Sequence, residues 1–311
     1  MVVRAEPWES GPQAGASPVW LLLGPAMRGR LSRLLAASFG EAFGPGSAVL
    51  SERLVYGIRG GELTLSDLDG RPMAVPRVVY ARFSTDRIVT DREITLLRHL
   101  RRMGVRVVND AEAYLVCMNK FQQLQDLATA GLPVPDTESY ADALLAEVVE
   151  RTRPWEGPRV VKAARGNRGS RVFLAPDAGM LADVEGSLRQ DVPYLFQEYL
   201  ASSRGRDLRV VVVGGQAVAA EVRTNTGGGF KSNLARGGTP DPCPGRYPEG
   251  EELAVRAAKA LGVDVAGVDL LFTADGGFVV CEVNPCPNWT EVLPQVAPAI
   301  VAACRKRAAG G

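Results

Sequence analysis

The sequence predicts an α/β domain over residues 18–118, followed by an α+β unit over residues 119–308. Three observations carry this reading. An early run reads strand, helix, strand: "RVVYARF", a helix over 91–103, then "VRVVND". That order implies parallel strands joined by a crossover helix. Further along, apolar stretches flank Gly214-Gly215 and Asp275-Gly276, the signature of antiparallel hairpins. Between those hairpins, strands and helices mix without strict alternation, as in α+β rather than doubly wound folds.

The elements follow in order. Residues 1–17 are rich in Gly, Pro, Ala and Ser and are expected to form a disordered tail. "VWLLLG" reads as the first strand; it is too short to span a membrane and lacks the basic lead of a signal peptide. "RGRLSRLLAASFG" reads as a helix ending at Gly40, and Thr90 with Glu93 could open helix 91–103 as a capping box. "NKFQQLQDLATAG" is a helix stopped at Gly131, with a Pro-marked exit in "LPVPDT". Then come strand–loop–strand in "PRVVKAARGNRGSRVFLA", a helix in "AGMLADVEGSLRQ", a strand in "YLFQEYL" and the hairpin "RDLRVVVVGGQAVAAEVRTN". A helix in "EELAVRAAKALG" leads to the last hairpin, "GVDLLFTADGGFVVCEVN".

Composition narrows the chemistry. The 311 residues are 46% hydrophobic and 23% charged, ordinary for a soluble globular protein. A net charge of +1 gives no electrostatic case for nucleic acid or a membrane surface. The single histidine, His99, sits on an amphipathic helix and reads as a surface or core-edge residue. A multi-histidine metal site is therefore excluded, and catalysis must rest on carboxylates, lysine, arginine and backbone amides. Cys117, Cys243, Cys281, Cys286 and Cys304 are odd in number and form no CxxC pair, which reads as reduced thiols of a cytoplasmic protein.

The last hairpin raises the sharpest question. A two-residue turn at Asp275-Gly276 would set Asp269 directly opposite Glu282, with Asn284 on the same face. Like charges so placed are destabilising. A divalent cation would turn the repulsion into attraction, and oxygen ligands suit Mg²⁺ or Mn²⁺. The alternative is a solvated polar face of an antiparallel sheet. A three-residue loop would shift the register and remove the facing pair.

Other segments admit paired readings. Lys162 precedes a loop with Gly166 and Gly169 and is followed by Arg165, Arg168 and Arg171. Such a loop suits phosphate oxygens, or is an exposed basic turn. It matches neither the P-loop nor the dinucleotide fingerprint. "YLFQEYLASSRGRDLR" is a strand-to-loop hinge whose backbone could meet an adenine edge, or simply a core strand. "EVRTNTGGGFKSNLARGG" sets Arg223, Lys231, Ser232, Asn233 and Arg236 among glycines, as a lid over an anion or a plain surface loop.

Taken in order, Lys120, Lys162 with its Gly loop, "QEYL", "KSN", Asp269 and Glu282-x-Asn284 resemble the RimK-like ligases of the ATP-grasp superfamily. The resemblance runs over nearly the whole chain from about residue 18, strongest in "NDAEAYLVCMNKFQQLQDLATAGLPVPDT", "GRDLRVVVVGGQAVAAEVR" and "SNLARGG". "EITLLRHLRRMG" and "DVPYLFQEYL" look like the vertebrate branch, whose members join glutamate to N-acetylaspartate or citrate; bacterial relatives extend a ribosomal protein's C-terminus.

The resemblance implies an ATP-grasp fold holding nucleotide between two sheets, ATP with two Mg²⁺ or Mn²⁺ ions, and an ADP-forming acid–amino-acid ligase. Its substrates would be L-glutamate and a small carboxylic acid; it implies no nucleic-acid or membrane partner and allows a homo-oligomer. By the same resemblance, Lys120 and Lys162 would contact phosphates, Glu198 and Tyr199 adenine, Asp207 the ribose, and Lys231, Ser232 and Asn233 the nucleotide. Asp269, Glu282 and Asn284 would hold metal, Arg223 would meet the acyl phosphate or a substrate carboxylate, and Arg82 would recognise the acceptor. Two departures stand out: Lys231 where the family often has Arg, and Pro285-Cys286-Pro287-Asn288-Trp289 where bacterial relatives carry a Ser-Pro-Gly turn. Rival readings are a ligase acting on another amino acid or a peptide C-terminus, and a non-catalytic ATP-binding module.

Overall fold

The computed structural model describes residues 17–85, 87–151, 157–166, 171–177, 179–180, 193–232 and 238–310. Residues 1–16 of the expected tail, most of the "AGMLADVEGSLRQ" segment, Gly169 and Asn233 lie outside them. Ser17 is buried, its hydroxyl bonded to Val19 O and Phe43 O.

The first sheet is parallel, as its strand–helix–strand pattern requires. Its elements are β1 (Val19–Leu23), α1 (Arg30–Phe43), β2 (Ala48–Leu50), the hairpin β3 (Val55–Arg59) and β4 (Glu62–Ser66), β5 (Val78–Arg82), α2 (Thr95–Arg102) and β6 (Arg106–Val108). Strands run in the order β2-β1-β5-β6, all pairs parallel. Strand β1 is apolar throughout because both its faces are covered. Leu21 and Leu23 pack with Leu35 and Phe39 of α1, while Trp20 and Leu22 pack with Leu96, Leu97 and Leu100 of α2.

Two local expectations are corrected. Helix α1 does not stop at Gly40; it runs to Phe43 and ends at Gly44, whose φ of 88° with ψ of 172° is a conformation essentially reserved for glycine. A mid-helix glycine costs about 1 kcal/mol, and here the added turn lays Phe43 against Phe39 with ring centroids 5.4 Å apart. Nor does Thr90 cap the second helix: Thr90–Ile94 is a π-helical turn, and Glu93 Oε2 accepts from the amide of Val89 at 2.9 Å. His99 is a core-edge residue, with Nε2 3.0 Å from Thr64 O and its ring beside Tyr56.

Helices α3 (Ala111–Met118) and α4 (Lys120–Thr129) follow, each with a side-chain cap, Asp110 and Asn119. Next come β7 (Thr137–Glu138), α5 (Leu145–Arg151), β8 (Arg159–Ala163), β9 (Val172–Ala175) and β10 (Tyr194–Glu198). These strands form an antiparallel sheet in the order β7-β10-β8-β9. The remaining elements are β11 (Arg206–Val213), β12 (Gln216–Asn225), β13 (Gly238–Pro242), α6 (Pro248–Ala260), β14 (Val265–Phe272), β15 (Phe278–Asn284) and α7 (Val296–Ala309). Their strands make a second antiparallel sheet, β13-β12-β11-β14-β15.

Alternation along β11 explains how this sheet serves three neighbours. Leu208, Val210 and Val212 face the core built with α6. On the other face, Val211 and Val213 join the core of the first sheet and α7. The two remaining residues of that face, Asp207 and Arg209, are polar, and there the sheet opens into a cleft. Among the described residues no helix is long and apolar enough to cross a membrane.

Candidate active site

A cleft of about 340 Å³ lies between the two antiparallel sheets. Strands β8, β9 and β10 supply one wall through Val160, Lys162, Val172 and Gln197. Strands β11, β12, β14 and β15 supply the other through Asp207, Arg209, Glu221, Arg223, Asp269 and Glu282.

The hairpin β14–β15 has the facing pair, reached by an unexpected route. Its turn is not the two-residue loop of the sequence reading. Thr273 N donates to Gly277 O, enclosing Ala274, Asp275 and Gly276, with Gly276 at φ 88°. A three-residue loop alone would put Cys281 opposite Asp269. A bulge at Cys281 takes up the extra residue: Leu270 pairs with Val280, and Asp269 pairs with Glu282. Asn284 pairs with Gly267 on the next rung of the same face.

Charges then run across four strands in one row. Glu221 on β12 stands opposite Arg209 on β11, Arg209 opposite Asp269 on β14, and Asp269 opposite Glu282 on β15. Arg209 grips Asp269 with Nε at 2.5 Å and Nη2 at 2.7 Å. Arg223 holds Asp207 in a two-pronged pair, Nε at 2.7 Å from Oδ1, and its Nη2 lies 2.9 Å from Asp269 Oδ1. Burial opposes ionisation of Asp269, but the two guanidinium groups outweigh it and hold the carboxyl below its ordinary range. Gly267 is needed beside this grip, since a Cβ there would come within 2.9 Å of Arg209 Nη1 and of Pro287 Cβ.

Beyond Glu282 the row ends on a lysine. Lys120 Nζ is 3.2 Å from Glu282 Oε1 and donates to Gly166 O at 2.6 Å. Lys162, buried on β8, brings its Nζ to 3.7 Å from Cys281 Sγ, so the bulged residue also faces the cleft. At the hinge, Glu198 is tied to Asp136 through both its amide and its Oε1, while Tyr199 and Leu200 line the cleft. Lys231, Ser232 and Phe230 line it from the loop after β12.

The Pro285–Trp289 loop closes the far side and is clamped from the first sheet. Asn109, at the end of β6, donates to Val265 O and Pro285 O and accepts from the amides of Asp264 and Val265. Arg82, at the end of β5, is fully buried and donates to Pro287 O at 3.2 Å and Asn288 Oδ1 at 3.3 Å, with Trp289 stacked 5.6 Å away. Arg82 is not among the residues lining the cleft; it holds the loop that is.

The donor set fits a hard cation. Two carboxylates and a carboxamide share one face, and Asn284 spends its Nδ2 on Gly267 O at 3.4 Å, leaving Oδ1 as the acceptor. Asp269 keeps spare lone pairs beside its arginines. Among the described residues no three His, Cys, Asp or Glu side chains gather to hold a metal ion by themselves; Mg²⁺ typically takes one or two carboxylates together with substrate phosphates and water.

Comparison with known proteins places the chain. A family model described as the RimK-like ATP-grasp domain matches residues 117–299. The chain belongs to this family. It is 43% identical over 238 residues to N-acetylaspartylglutamate synthase A of Homo sapiens, covering 76% of this chain and 61% of that protein. It is 42% identical over 238 residues to beta-citrylglutamate synthase B of Mus musculus, with the same 76% and 61% coverage. The chain thus spans about three-fifths of the length of these curated relatives. The solved ATP-grasp ligase PsnB, complexed with minimal precursor, Mg and ADP, superposes with a TM-score of 0.69 at 20% identity, over 94% of this chain and 97% of that one. The ATP-grasp fold expected from the sequence is therefore the fold observed.

Of the expected site residues, the cleft gathers Lys120, Lys162, Glu198, Tyr199, Asp207, Arg223, Lys231, Ser232, Asp269, Glu282 and Asn284. Sequence reasoning passed over Arg209, Glu221 and Cys281. For the first two the signal was present: Asp207 and Arg209 sit at i and i+2, as do Glu221 and Arg223, so each pair shares a strand face.

Proposed function

We propose that the chain is an ATP-dependent carboxylate–amine ligase. The observation that carries this is the oxygen-donor group of Asp269, Glu282 and Asn284 in one cleft with Lys120 and Lys162. Lys120, Lys162, Lys231 and Ser232 would hold the phosphates, and Asn233 joins them in this reading although it lies outside the described residues. Adenine would lie at the hinge against Val160, Val172, Leu200 and Leu271, meeting the backbone of Glu198 and Tyr199, with Asp207 toward the ribose. When bound, Mg²⁺ or Mn²⁺ would be held by Asp269, Glu282 and Asn284 and would supply positive charge that offsets that of the phosphates.

The acid's carboxylate oxygen attacks the γ-phosphorus, ADP leaves, and an amine displaces phosphate from the acyl phosphate to give an amide. Arg223 is fixed by Asp207 and Asp269 before any substrate arrives. Its positive charge therefore costs no reorganisation when negative charge develops. Lys162 would add positive charge from the opposite sheet. No histidine is required.

The names of the similar proteins favour L-glutamate as the amine and N-acetylaspartate or citrate as the acid. We propose that the chain divides between residues 118 and 119, with the first sheet as the platform for the Pro285–Trp289 loop through Arg82 and Asn109. An ADP-release screen of L-glutamate against N-acetylaspartate, citrate and peptide C-termini, with product masses, tests the reading. ADP release that needs both glutamate and an acid supports it. Nucleotide binding with no ADP from any pair would instead make the chain a binding module.

A further inference from the structure

Five carboxylates line the cleft, and four of them are committed. Asp207 is bound by Arg223, Asp269 by Arg209 and Arg223, Glu282 by Lys120, and Glu198 by the amide of Asp136. Glu221 is the exception among the described residues. It is 1% exposed, lines the cleft, and its side-chain hydrogen bond is a long one, 3.4 Å from Thr290 Oγ1. Arg209 and Arg223 lie near it but aim their hydrogen bonds at Asp269 and Asp207. A buried carboxyl so poorly bonded calls for a partner.

Its position says what kind. Glu221 is three strands along the row from Glu282, so roughly 14 Å separates their backbones at the usual strand spacing. The phosphate-holding lysines are at the Glu282 end. Glu221 stands at the other, beside Thr290 and the Pro285–Trp289 loop. An amine substrate arrives as an ammonium ion and must lose a proton before it can attack.

We propose that Glu221 binds the ammonium group of the incoming amine and takes its proton. The inference rests on the ligase reading above. In the step, R–NH₃⁺ gives one proton to the Glu221 carboxylate and becomes R–NH₂. Its lone pair forms the C–N bond, the C–O bond to phosphate breaks with its electron pair, and the second proton leaves nitrogen for the departing phosphate. Burial pushes the Glu221 carboxyl up from its ordinary value, against the pull of Arg209 and Arg223 and with a small push from Asp207. That brings its proton affinity toward that of an amine, as a general base requires.

The test compares two amines in the full chain, with ATP, Mg²⁺ and either N-acetylaspartate or citrate. L-glutamate arrives protonated; hydroxylamine is largely neutral at pH 7 and traps the acyl phosphate as a hydroxamate. In Glu221→Gln the glutamate rate should fall by about 10²–10⁴-fold, while the hydroxamate rate falls far less. The glutamate rate of the variant should climb with pH as free amine accumulates, and Glu221→Asp should restore part of it. Glu221→Met reports the same split should the glutamine variant fold poorly. Equal losses with both amines, or none with glutamate, overturn the proposal. No hydroxamate from the unaltered chain would overturn the ligase reading itself, and this inference with it.

Discussion

Asp269 and Glu282 face each other across β14 and β15 because Cys281 bulges out between Val280 and Glu282. The bulge puts the Cys281 thiol inside the cleft, 3.7 Å from Lys162 Nζ. A nucleotide whose phosphates meet Lys162 must then cover this thiol. MgATP is expected to protect Cys281 from iodoacetamide, read peptide by peptide in a mass spectrometer. Burial raises the thiol more than Lys162 lowers it, so labelling without nucleotide should be slow at neutral pH and quicken as pH rises above the ordinary thiol range. Equal labelling of Cys281 with and without MgATP would remove Lys162 from the phosphate site.

The two proposed metal carboxylates should respond differently to neutralisation. Asp269 offsets two buried guanidinium groups, so Asp269→Asn leaves buried positive charge uncompensated. Losing one partner of a buried pair costs about 3–5 kcal/mol. Glu282 is about a quarter exposed and, among the described residues, pairs with Lys120, which also donates to Gly166 O, so Glu282→Gln should cost less than Asp269→Asn. Both should lose most of their turnover. Urea midpoints separate the two cases, and similar destabilisation by the two substitutions would count against the arginine grip on Asp269.

Glu221 makes a signed expectation for pH. Its carboxyl is raised on folding, mainly by burial, so the folded state binds its proton more tightly than the unfolded chain does. The stability this contributes is complete below the unfolded carboxylate value and is lost as pH rises through the folded one. The stability gap between the unaltered chain and Glu221→Gln should therefore shrink as pH is raised from about 4 to 8. Urea unfolding across that range checks it; a gap that widens would mean the arginines dominate.

Much of this site was legible in the residues, though not always by the right route. Asp269, Glu282 and Asn284 were placed together on the strength of a two-residue turn that does not exist. Two deviations, a three-residue loop and a one-residue bulge, cancel; strand periodicity contains no trace of either. Helix α1 overran Gly40 because the contact of Phe43 with Phe39 outweighs one poor helix former. The hairpin β3–β4 was readable, with Gly60-Gly61 between alternating strands, yet its half-exposed residues make a weak pattern. Arg209 lay inside a run read only as a hairpin strand, and its role emerges once β11 is seen between β12 and β14.

Arg82 offers the last expectation, one that separates the loop from the nucleotide. It contacts Tyr80, Pro287, Asn288 and Trp289 and is absent from the cleft wall. Arg82→Gln would loosen the 285–289 loop, removing hydrogen bonds to a charged donor worth about 1.5–3 kcal/mol. If that loss falls on substrate positioning, KM for the amine or the acid should rise about 10–100-fold. The thermal shift produced by MgATP should stay as it was, since the proposed nucleotide contacts lie on β8, β14, β15 and the hinge. A lost nucleotide shift with unchanged substrate KM would show that the loop serves the phosphates instead, and would move the amine site away from Trp289 and Thr290.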